Sequence, residues 1–98
     1  MDREQVVHIL RAHEAELRAC GVLHLRLFGS VARGSHSDTS DIDIAATMDP
    51  TRNWSGLTLG GVQMDLCDWL KTEVDFNLID WFSPPMKDRV SHEGIDVF

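Results

Sequence analysis

Gly29-Ser30 and Asp41-x-Asp43 are the residues whose type and spacing can do chemistry, and both sit in the stretch LRLFGSVARGSHSDTSDIDIAA, Leu25 to Ala46. An apolar run (Leu25, Leu27, Phe28) leads into the Gly-Ser pair. Two small residues closing a strand let backbone N–H groups come close to a phosphate, and a helix beginning at Ser30 aims its free N–H groups and positive dipole end at an anion. The alternation Asp41, Ile42, Asp43, Ile44 predicts a strand with both carboxylates on one face. Their Cα atoms then stand roughly 6.5–7 Å apart, close enough for both side chains to converge on metal ions. A phosphate cradle followed by paired metal-binding carboxylates is what transfer of a nucleotide requires. Each half has a bland counterpart. An isolated Gly-Ser pair is a turn, and aspartates, though poor strand formers, are tolerated on a water-facing strand. The two halves together, with the aspartates set among Ile42, Ile44, Ala45 and Ala46, favour a site.

Positioning these residues requires a sheet and helices to cover it. Asp2 with Gln5 three residues on makes a capping box, predicting a helix over Asp2–Ala19. Val6, Leu10, His13 and Leu17 form its inward stripe, with His13 a packed residue and not a ligand, and Gly21 ends the helix in a left-handed conformation. Val22–Phe28 reads as a strand covered on both faces. A short helix Val31–Arg33 ended by Gly34, a polar hairpin-like connection Ser35–Ser40, a strand Asp41–Ala46 and a loop Met48–Asn53 follow. Ser55 caps a helix to Leu70 with Leu59, Val62, Leu66 and Trp69 inward. Gly60-Gly61 in its middle costs about 1 kcal/mol per glycine relative to alanine, which close packing against the sheet would explain. Glu73–Leu78 is a third strand with Val74, Phe76 and Leu78 on one face and Asp75 on the other with Glu73 and Asn77; Asp80 falls past it in a turn. Ser83-Pro84 starts a helix through His92, Gly94 ends it, and Ile95–Phe98 is a last strand.

The length of 98 residues fits one domain, residues 1–98, with a modest core. The chain is 43% hydrophobic and 26% charged, ordinary globular material. No apolar run reaches a membrane span, MDREQ is not a signal-peptide start, and Cys20 and Cys67 lack metal-ligand spacing, so buried free thiols in a cytoplasmic protein are expected. Nine Lys and Arg against sixteen Asp and Glu leave a net charge of −7, and no basic stripe is visible. Binding of long nucleic acid is therefore disfavoured, whereas a nucleoside triphosphate with Mg²⁺, or a basic partner protein, is compatible.

Gly29-Ser30, ten residues, then Asp41-x-Asp43 resembles the signature of the polymerase-β-type nucleotidyltransferases. The fuller string FGSVARG…SDIDI resembles their smallest branch, the minimal nucleotidyltransferase (MNT) antitoxins that partner HEPN-type toxins. VDFNLID and HEGIDVF also fall where that family places its later strands. The resemblance implies an α/β fold, with a short mixed sheet and helices mainly on one side. It implies a catalytic triad of Asp41, Asp43 and Asp75 holding two Mg²⁺ ions, with Asp75 beside the attacking hydroxyl and able to take its proton. Gly29 and Ser30 would hold the β and γ phosphates of ATP, with Arg33 adding a charge-assisted contact. Val31 stands where many relatives have Arg, which removes one phosphate contact. The implied reaction moves AMP from ATP to a tyrosine hydroxyl of a cognate HEPN ribonuclease toxin, in a hetero-oligomer whose partner completes the cleft. The absence of a second domain speaks against a stand-alone antibiotic-modifying enzyme. A non-catalytic antitoxin that acts by binding alone is the rival, but it has no need of three converging carboxylates.

Overall fold

In the computed structural model the described residues are 2–34 and 41–98, without the side chains of Ser30 and Arg33. The expected connection over residues 35–40 lies outside them. The chain runs α1 (Arg3–Ala12), α2 (Glu14–Ala19), β1 (Val22–Phe28), α3 (Gly29–Arg33), β2 (Ile42–Met48), α4 (Gly56–Leu70) and β3 (Val74–Leu78). A 3₁₀ turn (Ile79–Trp81), α5 (Pro84–Glu93) and β4 (Ile95–Asp96) follow. The strands form one mixed sheet in the order β3-β2-β1-β4. β1 is antiparallel to β2 and β4, while β2 and β3 are parallel. A parallel pair needs a long crossover, and α4 supplies it.

Alternation along the strands separates two faces. Leu25 and Leu27 of β1, Ile42, Ile44 and Ala46 of β2, and Val74, Phe76 and Leu78 of β3 are buried against Val6, Leu10, Leu17, Val62, Leu66 and Leu70 from α1, α2 and α4. The opposite face carries a smaller cluster, Phe28 and Ala45 under Val90 of α5, with Ile79, Phe82 and Met86 around it. The expected architecture, a short mixed sheet with helices mainly on one side, is the one observed.

Several local expectations are corrected. The first helix is not continuous: it breaks at His13, whose backbone leaves helical values (φ −106°, ψ 16°). The His13 ring stacks on Trp69 with centroids 3.8 Å apart and planes 4° apart, and its Nδ1 lies 2.9 Å from Glu16 Oε1. The capping box at Asp2 and Gln5 is present, with both bonds at 2.9 Å, and Gly21 is left-handed at φ +101°. The short helix begins at Gly29. β2 begins at Ile42 and runs to Met48 because Met48 still pairs with Val22, so Asp41 precedes the strand. Close packing does not explain Gly60-Gly61: both are exposed, and a Cβ at either would meet nothing within 4 Å. Cys20 and Cys67 are free thiols, half-buried and not fully enclosed. α5 extends to Glu93, and Gly94 ends it in an extended conformation (φ −77°, ψ 161°). β4 covers only Ile95–Asp96.

Candidate active site

Asp43 and Asp75 are directly paired in the parallel register of β2 and β3, on neighbouring strands about 4.8 Å apart. Both alternate outward from the main core, onto the sheet face that α5 partly covers. The Asn77 side-chain amide donates to Asp75 Oδ1 at 3.0 Å, fixing one oxygen of that carboxylate. On the other side of β2, Phe28 is the register partner of Asp43, so Gly29 emerges from β1 against the Asp43 side chain. A Cβ at Gly29 would stand 2.9 Å from Asp43 Cγ and overlap the carboxylate oxygen, and Gly29 is left-handed at φ +75°. Only glycine fits this backbone at this distance.

These groups share a cavity of ≈ 230 Å³ lined by Phe28, Gly29, Asp43, Asp75, Asn77, Phe82, Met86, Arg89 and Glu93. Phe28 and Phe82 form an edge-on aromatic wall, centroids 5.7 Å apart at 77°. Among the described lining residues three carboxylates stand against one guanidinium. A polyphosphate is repelled by such a lining unless a cation accompanies it.

The donor set fits Mg²⁺. Among the described residues no three His, Cys, Asp or Glu side chains form a cage that could hold a metal ion unaided. Mg²⁺ does not demand one; it is commonly held by one or two carboxylates together with waters and substrate phosphates. The all-oxygen pair Asp43–Asp75 meets that preference, whereas zinc favours His and Cys.

Of the residues singled out from sequence, the fold brings Gly29, Asp43 and Asp75 together in the cavity. Asp41 is exposed, lies just ahead of β2 and does not line the cavity. The side chains of Ser30 and Arg33 lie outside the described residues. Sequence reading missed Phe82, Met86, Arg89 and Glu93 as lining residues and placed Asn77 beside Asp75 without giving it a role. The spacing of Met86, Arg89 and Glu93, three and four residues apart, is the signal of one face of α5. Arg89 forms no ion pair with any described residue.

The sequence profile of the family described as Polymerase beta, Nucleotidyltransferase matches residues 4–98. A protein of Methanocaldococcus jannaschii named as a protein adenylyltransferase is 33% identical over 95 residues, spanning 97% of this chain and 92% of that protein. The solved structure of a minimal nucleotidyltransferase superposes with a TM-score of 0.83 at 27% identity, over 97% of this chain and 95% of the other. The fold is shared as well with a complex of tri-AMPylated Shewanella oneidensis HEPN toxin and MNT antitoxin: TM-score 0.65, 19% identity, 94% of this chain and 71% of that one. A profile match over nearly the whole length, carried by a fold that sets Gly29 against paired carboxylates, identifies this chain as a nucleotidyltransferase of the polymerase β family.

Proposed function

We propose that this protein transfers AMP from ATP to a tyrosine hydroxyl of a HEPN-type toxin and acts as its antitoxin in the cytoplasm, in a hetero-oligomer with that toxin. The observation that carries the reading is the contact of Gly29 with Asp43, beside Asp75, at the floor of one cavity. The Methanocaldococcus protein and the AMPylated toxin complex support the choice of AMP and of partner. Among the described residues no helix is long and apolar enough to cross a membrane.

The cavity takes the reacting end of a nucleotide, not the whole of it, since pockets for drug-sized ligands run from roughly 300 to 1,000 Å³. Gly29 admits the Asp43 carboxylate to the cavity, and Arg89 supplies a positive charge on the same lining. Ser30 and Arg33 are assigned to the phosphates by the family resemblance. Asp43 and Asp75 hold Mg²⁺, with Asp41 as a further ligand on approach of the nucleotide. A pair of Mg²⁺ ions held there would supply Lewis acidity for the attacking hydroxyl and for charge on the leaving group. Asn77 keeps one Asp75 oxygen occupied and so orients the other. The acceptor oxygen bonds to the α-phosphorus, the bond to the β-phosphate bridging oxygen breaks, and pyrophosphate leaves. Asp75 takes the hydroxyl proton.

The test is Asp75→Ala with labelled ATP, Mg²⁺ and the purified toxin. Labelling should fall by at least ~100-fold, the usual scale for a lost proton acceptor. Co-purification with the toxin should persist. Full rescue of toxin-expressing cells by a variant that labels nothing would leave neutralisation by binding as the function.

A further inference from the structure

α4 is apolar on two sides. Val62, Leu66 and Leu70 point into the core, while Leu57 (90% exposed) and Met64 (68% exposed) point into solvent. The outward residues Leu57, Gly61, Met64 and Asp68 recur at four, three and four residues, the spacing of a helix–helix seam. Gly60 and Gly61, in the middle of that seam, have open space where side chains would stand. Two poor helix formers therefore occupy a helix interior with no neighbour among the described residues that needs them small.

We propose that two copies of this chain pair through this face, with their α4 helices antiparallel and crossing at Gly60-Gly61. The seam is self-complementary in that orientation. Leu57 and Met64 stand equally far on either side of the glycine junction, so each Leu57 meets Met64 of the second copy. The glycines remove the side chains that would otherwise hold the two backbones apart. Charge gives the same answer. The first turn of α4 carries no acidic residue, whereas its C-terminal half carries Asp65 and Asp68. Antiparallel pairing brings Asp68 to the second copy's α4 N-terminus, where free N–H groups and the positive dipole end favour a carboxylate. Parallel pairing would set Asp68 against Asp68. A twofold contact of this kind is isologous and closes on itself as a dimer. α4 lies on the sheet face opposite the cavity, so the proposal is independent of the reaction assigned to that cavity.

Sedimentation equilibrium of the full chain over a concentration series tests the pairing. A monomer–dimer equilibrium is expected. Gly61→Leu should raise the dimer dissociation constant by about tenfold or more, because a side chain then occupies the crossing point. The same substitution should leave melting of the dilute monomer unchanged or higher, since leucine is the better helix former and the site is open. Leu57→Glu and Met64→Lys should each weaken the dimer when introduced singly. Combined in one chain they should restore it, because antiparallel register sets each new carboxylate beside the second copy's new ammonium. A monomer at every concentration, a dimer indifferent to Gly61→Leu, or a double variant no better than the singles would each overturn the proposal. So would a monomer whose Leu57 and Met64 variants lose binding to a HEPN-type toxin, an outcome that assigns the face to that partner. Nucleotide transfer by Gly61→Leu should equal that of the wild type, so failure of the dimer and failure of the enzymatic reading remain distinguishable.

Discussion

At position 29 a single methyl group has nowhere to go. The backbone is left-handed (φ +75°), which costs a non-glycine residue about 1–2 kcal/mol, and the Cβ would press into the Asp43 carboxylate. Gly29→Ala should therefore displace Asp43 and abolish nucleotide binding in a calorimetric titration, while circular dichroism still reports a folded chain. Unchanged affinity would mean that Asp43 does not have to stay where it is. Arg89 is the residue-scale counterpart on α5, a cation that among the described residues shares the cavity lining with Asp43, Asp75 and Glu93. Loss of a hydrogen bond to a charged group costs about 1.5–3 kcal/mol, so Arg89→Ala should raise the KM for ATP by roughly tenfold or more with a smaller change in kcat. Equal KM values for wild type and variant would remove Arg89 from the phosphate site.

The elements hold these residues through their register. β2 and β3 are parallel, and the α4 crossover joins them with Asp43 opposite Asp75. Slipping either strand by one residue would send its own carboxylate into the core against α1 and α4. The approach to α4 has its own lock. The Asp49 carboxylate accepts from Thr51 Oγ1 at 2.7 Å and from the Thr51 amide at 2.9 Å. These bonds, with the nearby Arg52 guanidinium, hold its pKa below the ordinary carboxylate value. Arg52 in turn donates to the carbonyls of Arg18 and Ala19, tying this turn to the end of α2. A depressed folded pKa means that the contribution to stability is present above the unfolded carboxylate pKa and is lost as pH falls through the folded one. Asp49→Asn should accordingly flatten the acid limb of the melting-temperature profile and lower stability near neutrality. A profile identical to that of the wild type would show that the turn contributes nothing to folding.

At the scale of the whole molecule, charge and layering determine what can approach. A net charge of −7 with scattered basic residues offers no track for a phosphate backbone. Single- or double-stranded RNA should give no mobility shift at physiological salt, and a salt-sensitive shift would overturn this expectation. The sheet divides the protein into two working sides. One face is packed by α1, α2 and α4, while on the other α5 packs over Phe28 and Ala45 and accepts hydrogen bonds from Arg26, with the cavity beside it. The reactive side and the exposed apolar seam of α4 are thereby kept apart.

The amino-acid sequence by itself determined most of the elements, the alternation that turns Asp43 and Asp75 each away from the apolar side of its strand, the glycine at the end of β1 and the family. All of these are local patterns or spacings within a short stretch. Tertiary structure decided what depends on residues distant in the chain. The Trp69 ring that stacks on His13 at the break of the first helix comes from α4. Pairing of Val22 with Met48 sets the length of β2 and leaves Asp41 ahead of the strand. Arg89 and Glu93 reach the cavity because α5 packs Val90 onto Phe28 and Ala45, a contact that no periodicity in α5 specifies. Gly60-Gly61 shows the same limit from the other side. A helical pattern marks the pair as costly, and only the packed chain shows that no described residue crowds it.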